Sequence, residues 1–169
     1  MKKAVVVIVW AMLSAVSASA AQVCPNGIPQ TTPTADFTNH GDGTLTHKVT
    51  GRMWKQCVEG LSGVGCASGT VSKFTWQEAL QRANVHSFAG YDDWRLPNIK
   101  ELSSIIERSC YDPAINLSVF PNGPSSSVWS GSPYADDTND AWGVLFNGGY
   151  DVLRLRTDSY SVRLVRGGQ

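Results

Sequence analysis

Apolar and polar positions in this chain follow two periods, and the change of period marks the elements. From Thr75 onward, Trp76, Ala79, Leu80 and Ala83 recur at i, i+3, i+4 and i+7, which predicts a helix with one apolar face. Thr75 and Glu78 have the spacing of a capping box, in which hydroxyl and carboxylate each satisfy a backbone N–H left free at a helix start. The device repeats at Asn98 and Glu101, so a second short helix is expected, with Leu102, Ile105 and Ile106 as its buried stripe. A turn running from Gly90 to Pro97 joins the two. In it Asp92 and Asp93 are expected to lock onto Arg95 by a charge-assisted bond, while the Trp94 indole fills the core.

Elsewhere the period is two. Phe37 to Cys57 reads as a hairpin: Asn39 to Gly43 is a turn, and Thr44–Lys48 and Arg52–Gln56 are β-prone segments separated by Thr50 and Gly51. Met53 and Trp54 are where it should meet the core. Asp42 and Thr44 fit a turn held by the Asp side chain better than a calcium loop, because no series of acidic ligands follows. The last third is a meander. Trp142, Val144 and Phe146 alternate with Ala141, Gly143 and Leu145, and Asn147-Gly148-Gly149 supplies a turn. Next, Leu153 and Leu155 fall on one face of a strand and Val152, Arg154 and Arg156 on the other. In the closing strand Val162 and Leu164 oppose Arg163 and Val165.

Two stretches lack either period. Residues 21–36 carry Pro25, Pro29 and Pro33 and read as an extended lead-in tied down by Cys24. Ser109 to Pro133 is rich in Pro, Ser, Gly and Asn, long for a loop, with a short strand at Val128–Ser130. Asn116-Leu117-Ser118 matches a glycosylation acceptor by chance.

Charge and composition narrow the class. Lys2 and Lys3 precede an apolar run from Ala4 to about Val16, followed by Ala18-Ser19-Ala20, the pattern of an export signal over 1–20 cleaved after Ala20. Of 169 residues, removing 20 leaves 149, about one domain, assigned to the lead-in and a domain over 37–169. The signal takes two of the 14 basic residues, leaving 12 against 14 acidic ones, which excludes the basic footprint of a nucleic-acid binder. No further transmembrane segment is expected, and a secreted, periplasmic or cell-surface location follows. Four cysteines in an oxidising compartment predict two disulfides, with three connectivities open; their spacings lack the close pair that zinc sites use. Cys57 and Cys66 flank a short Gly-rich loop and should pair locally, which leaves Cys24 for Cys110.

The run Ala89-Gly90-Tyr91-Asp92-Asp93-Trp94-Arg95-Leu96-Pro97-Asn98-Ile99-Lys100-Glu101-Leu102 resembles the hallmark of the Lcl C-terminal-like domains, named for a collagen-like bacterial surface adhesin. So do Thr50-Gly51-Arg52-Met53-Trp54, Thr75 to Leu80, Pro113-Ala114-Ile115-Asn116, Trp129-Ser130, Ala141-Trp142 and Val162 to Arg166. The resemblance covers nearly the whole exported chain. It implies an α+β, C-type-lectin-like fold, two helices packed on an antiparallel sheet with long loops, akin to the formylglycine-generating enzymes. The namesake binds sulfated polysaccharides. The motif positions Thr75, Trp76, Glu78, Asp93, Trp94, Arg95, Pro97 and Glu101 look structural, so they bring no catalytic residue with them.

The chemistry that remains is sparse. His40, His47 and His86 fall in unrelated segments, and no Ser, Thr or Cys sits in a nucleophile motif. Asp136, Asp137, Asn139 and Asp140 can offer calcium oxygen ligands, although a solvated acidic loop explains them better, and no other cofactor or metal is expected. A binding surface is expected where Tyr134, Asp136, Asp137, Asn139 and Asp140 in one loop meet Asn147, Tyr150 and Asp151 in a hairpin turn and Asp158 and Tyr160 in the next. Arg154 and Arg156 share one strand face and can add an anion contact. The function expected is a non-enzymatic binding or adhesion module for a carbohydrate or surface polysaccharide. The alternatives are an exported enzyme of the formylglycine-generating kind and a structural envelope protein.

Overall fold

In a computed structural model of the chain, residues 21–167 are described; the expected export signal lies outside the described residues. β1 (Phe37–Asn39), β2 (Thr44–His47) and β3 (Arg52–Lys55) run antiparallel in succession. Asp42 builds the first of their turns, accepting the Thr44 N–H at 2.9 Å and its hydroxyl at 2.6 Å on one oxygen. Leu45 and Trp54 face each other across β2 and β3, and both are buried. After β3 the chain makes a small hairpin, β4 (Leu61–Ser62) with β5 (Ser68–Gly69), whose first strand lies within the loop closed by the Cys57–Cys66 disulfide. The two hairpin ends cross where only glycine fits: a Cβ on Gly60 would stand 2.1 Å from the Thr70 carbonyl oxygen, and one on Gly69 2.2 Å from that of Gly60.

Next come β6 (Lys73–Phe74), α1 (Trp76–Asn84) and α2 (Ile99–Ser103), then β7 (Ser127–Pro133), β8 (Asp140–Leu145), β9 (Tyr150–Leu155), β10 (Tyr160–Ser161) and β11 (Val165–Arg166). They complete two sheets, ordered β1-β2-β3-β11 and β6-β10-β7-β8-β9, so the architecture is α+β. Both capping boxes are formed. Thr75 N–H donates to Glu78 at 2.8 Å, and Asn98 N–H donates to Glu101 at 2.9 Å while Asn98 Oδ1 accepts the Glu101 N–H at 2.8 Å. The core has two parts. One gathers Phe37, Leu45, Trp54, Leu102, Phe120 and Val144; the other gathers Ala79, Ala83, Trp94, Trp129, Val162 and Leu164. Trp94 is buried as expected, its indole N–H donating to the Phe88 carbonyl at 3.1 Å, and Pro97 accepts the Gly131 N–H at 2.7 Å.

The expected disulfides are both present, Cys24–Cys110 and Cys57–Cys66. The first anchors the lead-in, which behaves as a strap. Gln22 donates to the carbonyls of Pro113 and Ile115, and Thr31 and Thr32 converge on Glu107. The 109–126 excursion is closed and packed: Ile115, Val119 and Phe120 are core residues. Asn116 is buried and donates to the Thr32 carbonyl and the Thr34 hydroxyl, so its acceptor-like sequence serves packing.

Three local expectations change. Arg95 does not lock onto Asp92 or Asp93; it forms a bidentate pair with Glu101 at 2.7 and 2.8 Å, and Asp93 pairs with Arg166 at 2.6 and 3.1 Å. Partners from elsewhere in the fold offer both carboxylate oxygens in line with the guanidinium, which a neighbour two residues away on an extended chain does not. Arg163, expected opposite the core, is 1% exposed, because the whole Ser161–Val165 segment is covered on both sides. α2 ends at Ser103, so Ile105 and Ile106 reach the core from the following turn rather than from a helical stripe.

Candidate binding surface

The loops expected to form one surface lie at opposite ends of β8. Its first residue, Asp140, pairs with Leu155, and its last, Leu145, pairs with Tyr150. Six residues of strand separate the 134–139 loop from the 146–149 turn, or about 17 Å. Asn147, Tyr150 and Asp151 therefore gather at the far end. There Asn147 bonds Asp112, Asp151 accepts the Ser103 hydroxyl at 2.6 Å, and the Tyr150 ring is half exposed.

The near end brings together the rest. Arg156 donates its backbone N–H to the Asn139 carbonyl at 2.8 Å and its Nε–H to the Asp140 carbonyl at 2.9 Å, which sews the β7–β8 loop to the end of β9. Within that loop Asp137 accepts the Asn139 backbone and side-chain N–H groups at 2.8 and 3.0 Å, an Asx turn. Tyr134 sets its ring edge-on to Trp142, 5.6 Å between centroids, and the Asp136 carboxylate holds the proton on its hydroxyl, raising its pKa. Asp158 accepts the Tyr160 hydroxyl at 3.1 Å. No group of three or more His, Cys, Asp or Glu side chains among the described residues is arranged to hold a metal.

Arg154 and Arg156 share a face, as the strand period requires. Arg154 lies over the Tyr160 ring at 5.5 Å and donates Nε–H to the Ser127 hydroxyl at 3.1 Å; Arg156 lies over the Trp76 ring at 4.3 Å. Trp76 in turn is pinned by its indole N–H on the Ser130 carbonyl at 2.9 Å. A shallow hollow of about 430 Å³ opens beside them, lined by Thr75, Trp76, Gln77, Leu80, Arg156 and Thr157. Trp76 is thus half a surface residue, where its helical position alone suggested core.

Residues 43–166 match the model of the Lcl C-terminal domain. The chain belongs to the Lcl C-terminal domain family. No curated protein is matched. The matched span covers β2 to β11 and hence both arginines, while the strap and β1 stand outside it. Membership points to an extracellular, adhesin-like domain, and two disulfides fit that location. No described helix is long and apolar enough to cross a membrane.

A second concavity in this Lcl domain was not foreseen from the sequence. It measures about 860 Å³ and lies between the β1–β2 turn and the disulfide hairpin, with Lys55, Gln56 and Phe88 among its walls. Below it Glu59, 1% exposed, accepts from Lys55 at 2.5 Å and Arg82 at 2.8 Å, with His86 Nδ1 at 3.6 Å. Burial raises the Glu59 pKa, but Lys55 and Arg82 outweigh it and the net shift is downward; burial lowers that of His86. The only sequence signal was the density of glycines at 41, 43, 60, 63 and 65, which reads as turns when taken one segment at a time.

Proposed function

We propose that this chain is an exported binding module, adhesive rather than catalytic, that meets an anionic polysaccharide on the face shared by α1 and the end of β9. One observation carries the reading: among the described residues Arg154 and Arg156 have no carboxylate partner, yet each lies on an aromatic ring. Five other cations are paired with carboxylates, Arg52 and Arg95 on Glu101, Lys55 and Arg82 on Glu59, and Arg166 on Asp93. A guanidinium stacked on a ring is preset and weakly hydrated, with N–H groups directed outward for a sulfate or carboxylate. The neighbouring Gln77, Thr75 and Thr157 add neutral donors and acceptors suited to sugar hydroxyls.

The likeness to an adhesin domain that binds sulfated polysaccharides supports the same choice, and with it a C-type-lectin-like fold delivered by an export signal over 1–20. An enzyme of the formylglycine-generating kind needs a reactive cysteine pair, and here both pairs are bridged. The test is a glycan array bearing sulfated, carboxylated and neutral polymers, probed with and without calcium. Arg154→Ser with Arg156→Ser should lower binding to the anionic polymers by at least about tenfold, on the order of 1 kcal/mol per lost contact. Tyr134→Ala and Tyr150→Ala, made singly at the two ends of β8, separate the near end from the far end. Full binding by a folded double arginine variant would move the site elsewhere.

A further inference from the structure

The 860 Å³ cleft stands apart from the arginine face and has its own chemistry. Its walls are held rigidly. On one side the β1–β2 turn passes so close to the Phe88 ring that a Cβ on Gly43 would stand 2.8 Å from it. On the other, the β4–β5 hairpin is fixed by the Cys57–Cys66 bridge and by the crossing of Gly60 and Gly69. A cavity of this size is within the range that holds a small molecule or a short peptide end.

Two charged side chains line it, and they differ in kind. Lys55 is 7% exposed, its ammonium 5.3 Å above the Phe88 ring and 2.5 Å from Glu59. Glu59 has already given its second oxygen to Arg82, so one carboxylate serves two permanent cations and a positive charge is left over beneath the cleft. One of the three ammonium hydrogens is used by Glu59. Asp42, by contrast, is exposed at the rim and ionised, its pKa lowered by the Thr44 hydroxyl. A fixed anion at the mouth opposes a polyanion, which sets this cleft apart from the arginine face. The remaining walls are largely apolar, with Leu61 and Phe88 among them.

We infer that this cleft is a second ligand site, which takes a single carboxylate carried on an aromatic or branched apolar group, with the carboxylate on Lys55 and the apolar group along Phe88. Two sources share that chemistry, the C terminus of a peptide and a free apolar acid. The inference does not depend on the polysaccharide reading.

The test is amide chemical-shift mapping of the oxidised protein with three probes: N-acetyl-glycyl-phenylalanine, the same peptide with its carboxylate amidated, and 3-phenylpropionate. The acid peptide should shift the amides of Gly41, Gly43, Gln56, Gly63 and Gly65, and the amidated peptide should bind at least about tenfold more weakly. Binding of 3-phenylpropionate as tight as that of the acid peptide assigns the site to free apolar acids; tenfold weaker binding assigns it to peptide ends. Lys55→Met should abolish the shifts. Because that change disturbs the Glu59 cluster, Ser62→Trp at the exposed rim serves as an independent plug and should do the same with unchanged melting. No shift at these amides up to about 10 mM of either acid, or equal binding of acid and amide, overturns the inference. Arg154→Ser with Arg156→Ser should leave the cleft shifts as they are, so the two sites are tested separately.

Discussion

Glu107 should be the residue on which the strap depends. It is 1% exposed, and six donors from three residues converge on its two oxygens. Four of those bonds come from Thr31 and Thr32 in the strap, at 2.9 to 3.3 Å, and two from Ser109, at 3.0 and 2.7 Å. Burial alone would raise the carboxyl's pKa. The Ser109 hydroxyl and the backbone N–H groups of Thr31, Ser109 and Thr32 outweigh it and bring the pKa down to about 2. Against an ordinary value of 4.5 the difference corresponds to about 3 kcal/mol. The folded-state pKa is depressed, so this stability is fully present above pH 4.5 and is lost as the pH falls through about 2. Glu107→Gln replaces one acceptor oxygen with an amino group that faces donors, at a cost of about 2–3 kcal/mol at pH 7. Urea denaturation of parent and variant should show that gap at pH 7 and its narrowing toward pH 2, where other carboxylates titrate equally in both proteins and cancel. Hydrogen exchange at the amides of Thr31, Thr32 and Ser109 should quicken in the variant at pH 7. A gap that is the same at both pH values, or a variant as stable as the parent, would refute the reasoning.

Trp94→Ala should destabilise by about 3–5 kcal/mol, because a 2% exposed indole in the second core cluster leaves a cavity and the Phe88 carbonyl loses one of its two donors; thermal melts check it, and a variant that melts like the parent yet loses ligand would make Trp94 a binding residue instead. Replacing both cysteines of Cys24–Cys110, separated by 86 residues, should cost more than removing Cys57–Cys66, separated by 9, about 4–5 against about 3 kcal/mol by loop-closure entropy. Denaturation of the two serine pairs measures the order, and an inverted order would mean that the strap contributes little to the folded state.

Much of the fold was legible in the chain because its signals are local. Thr75 with Glu78, and Asn98 with Glu101, specify two helix starts from four residues each, and both boxes are formed. Asp42 and the glycines beside it fix a turn for the same reason: donor and acceptor lie two residues apart. The cysteine pairing was also accessible, since a loop of eight residues closes readily and leaves one partner for the remaining pair. Alternation placed Arg154 and Arg156 on one face, which the rings of Tyr160 and Trp76 now flank.

Distance in sequence is where that reading stopped. Arg95 had two acids within three residues, but Glu101 and Arg166 won the partners because a folded backbone presents them in line. Arg163 alternates like a surface residue, yet it is buried between β10 and β11, with its guanidinium over the Phe120 ring and bonded to the Lys55 and Gln56 carbonyls, which strand period cannot report. The candidate loops were grouped by composition, yet whether two loops meet depends on which end of a strand each leaves, and β8 carries them to opposite ends. The Lys55 cleft needed the segments around Gly43, Leu61, Phe88 and Ser118 to be brought together before it existed at all. What the sequence by itself determined were the caps, the turns, the strand faces and the disulfides, interactions closed within a few residues or by elimination. What only the tertiary structure decided were the ion-pair partners and the sites, because these are set by which distant side chains the packed sheets place within about 3 Å of one another.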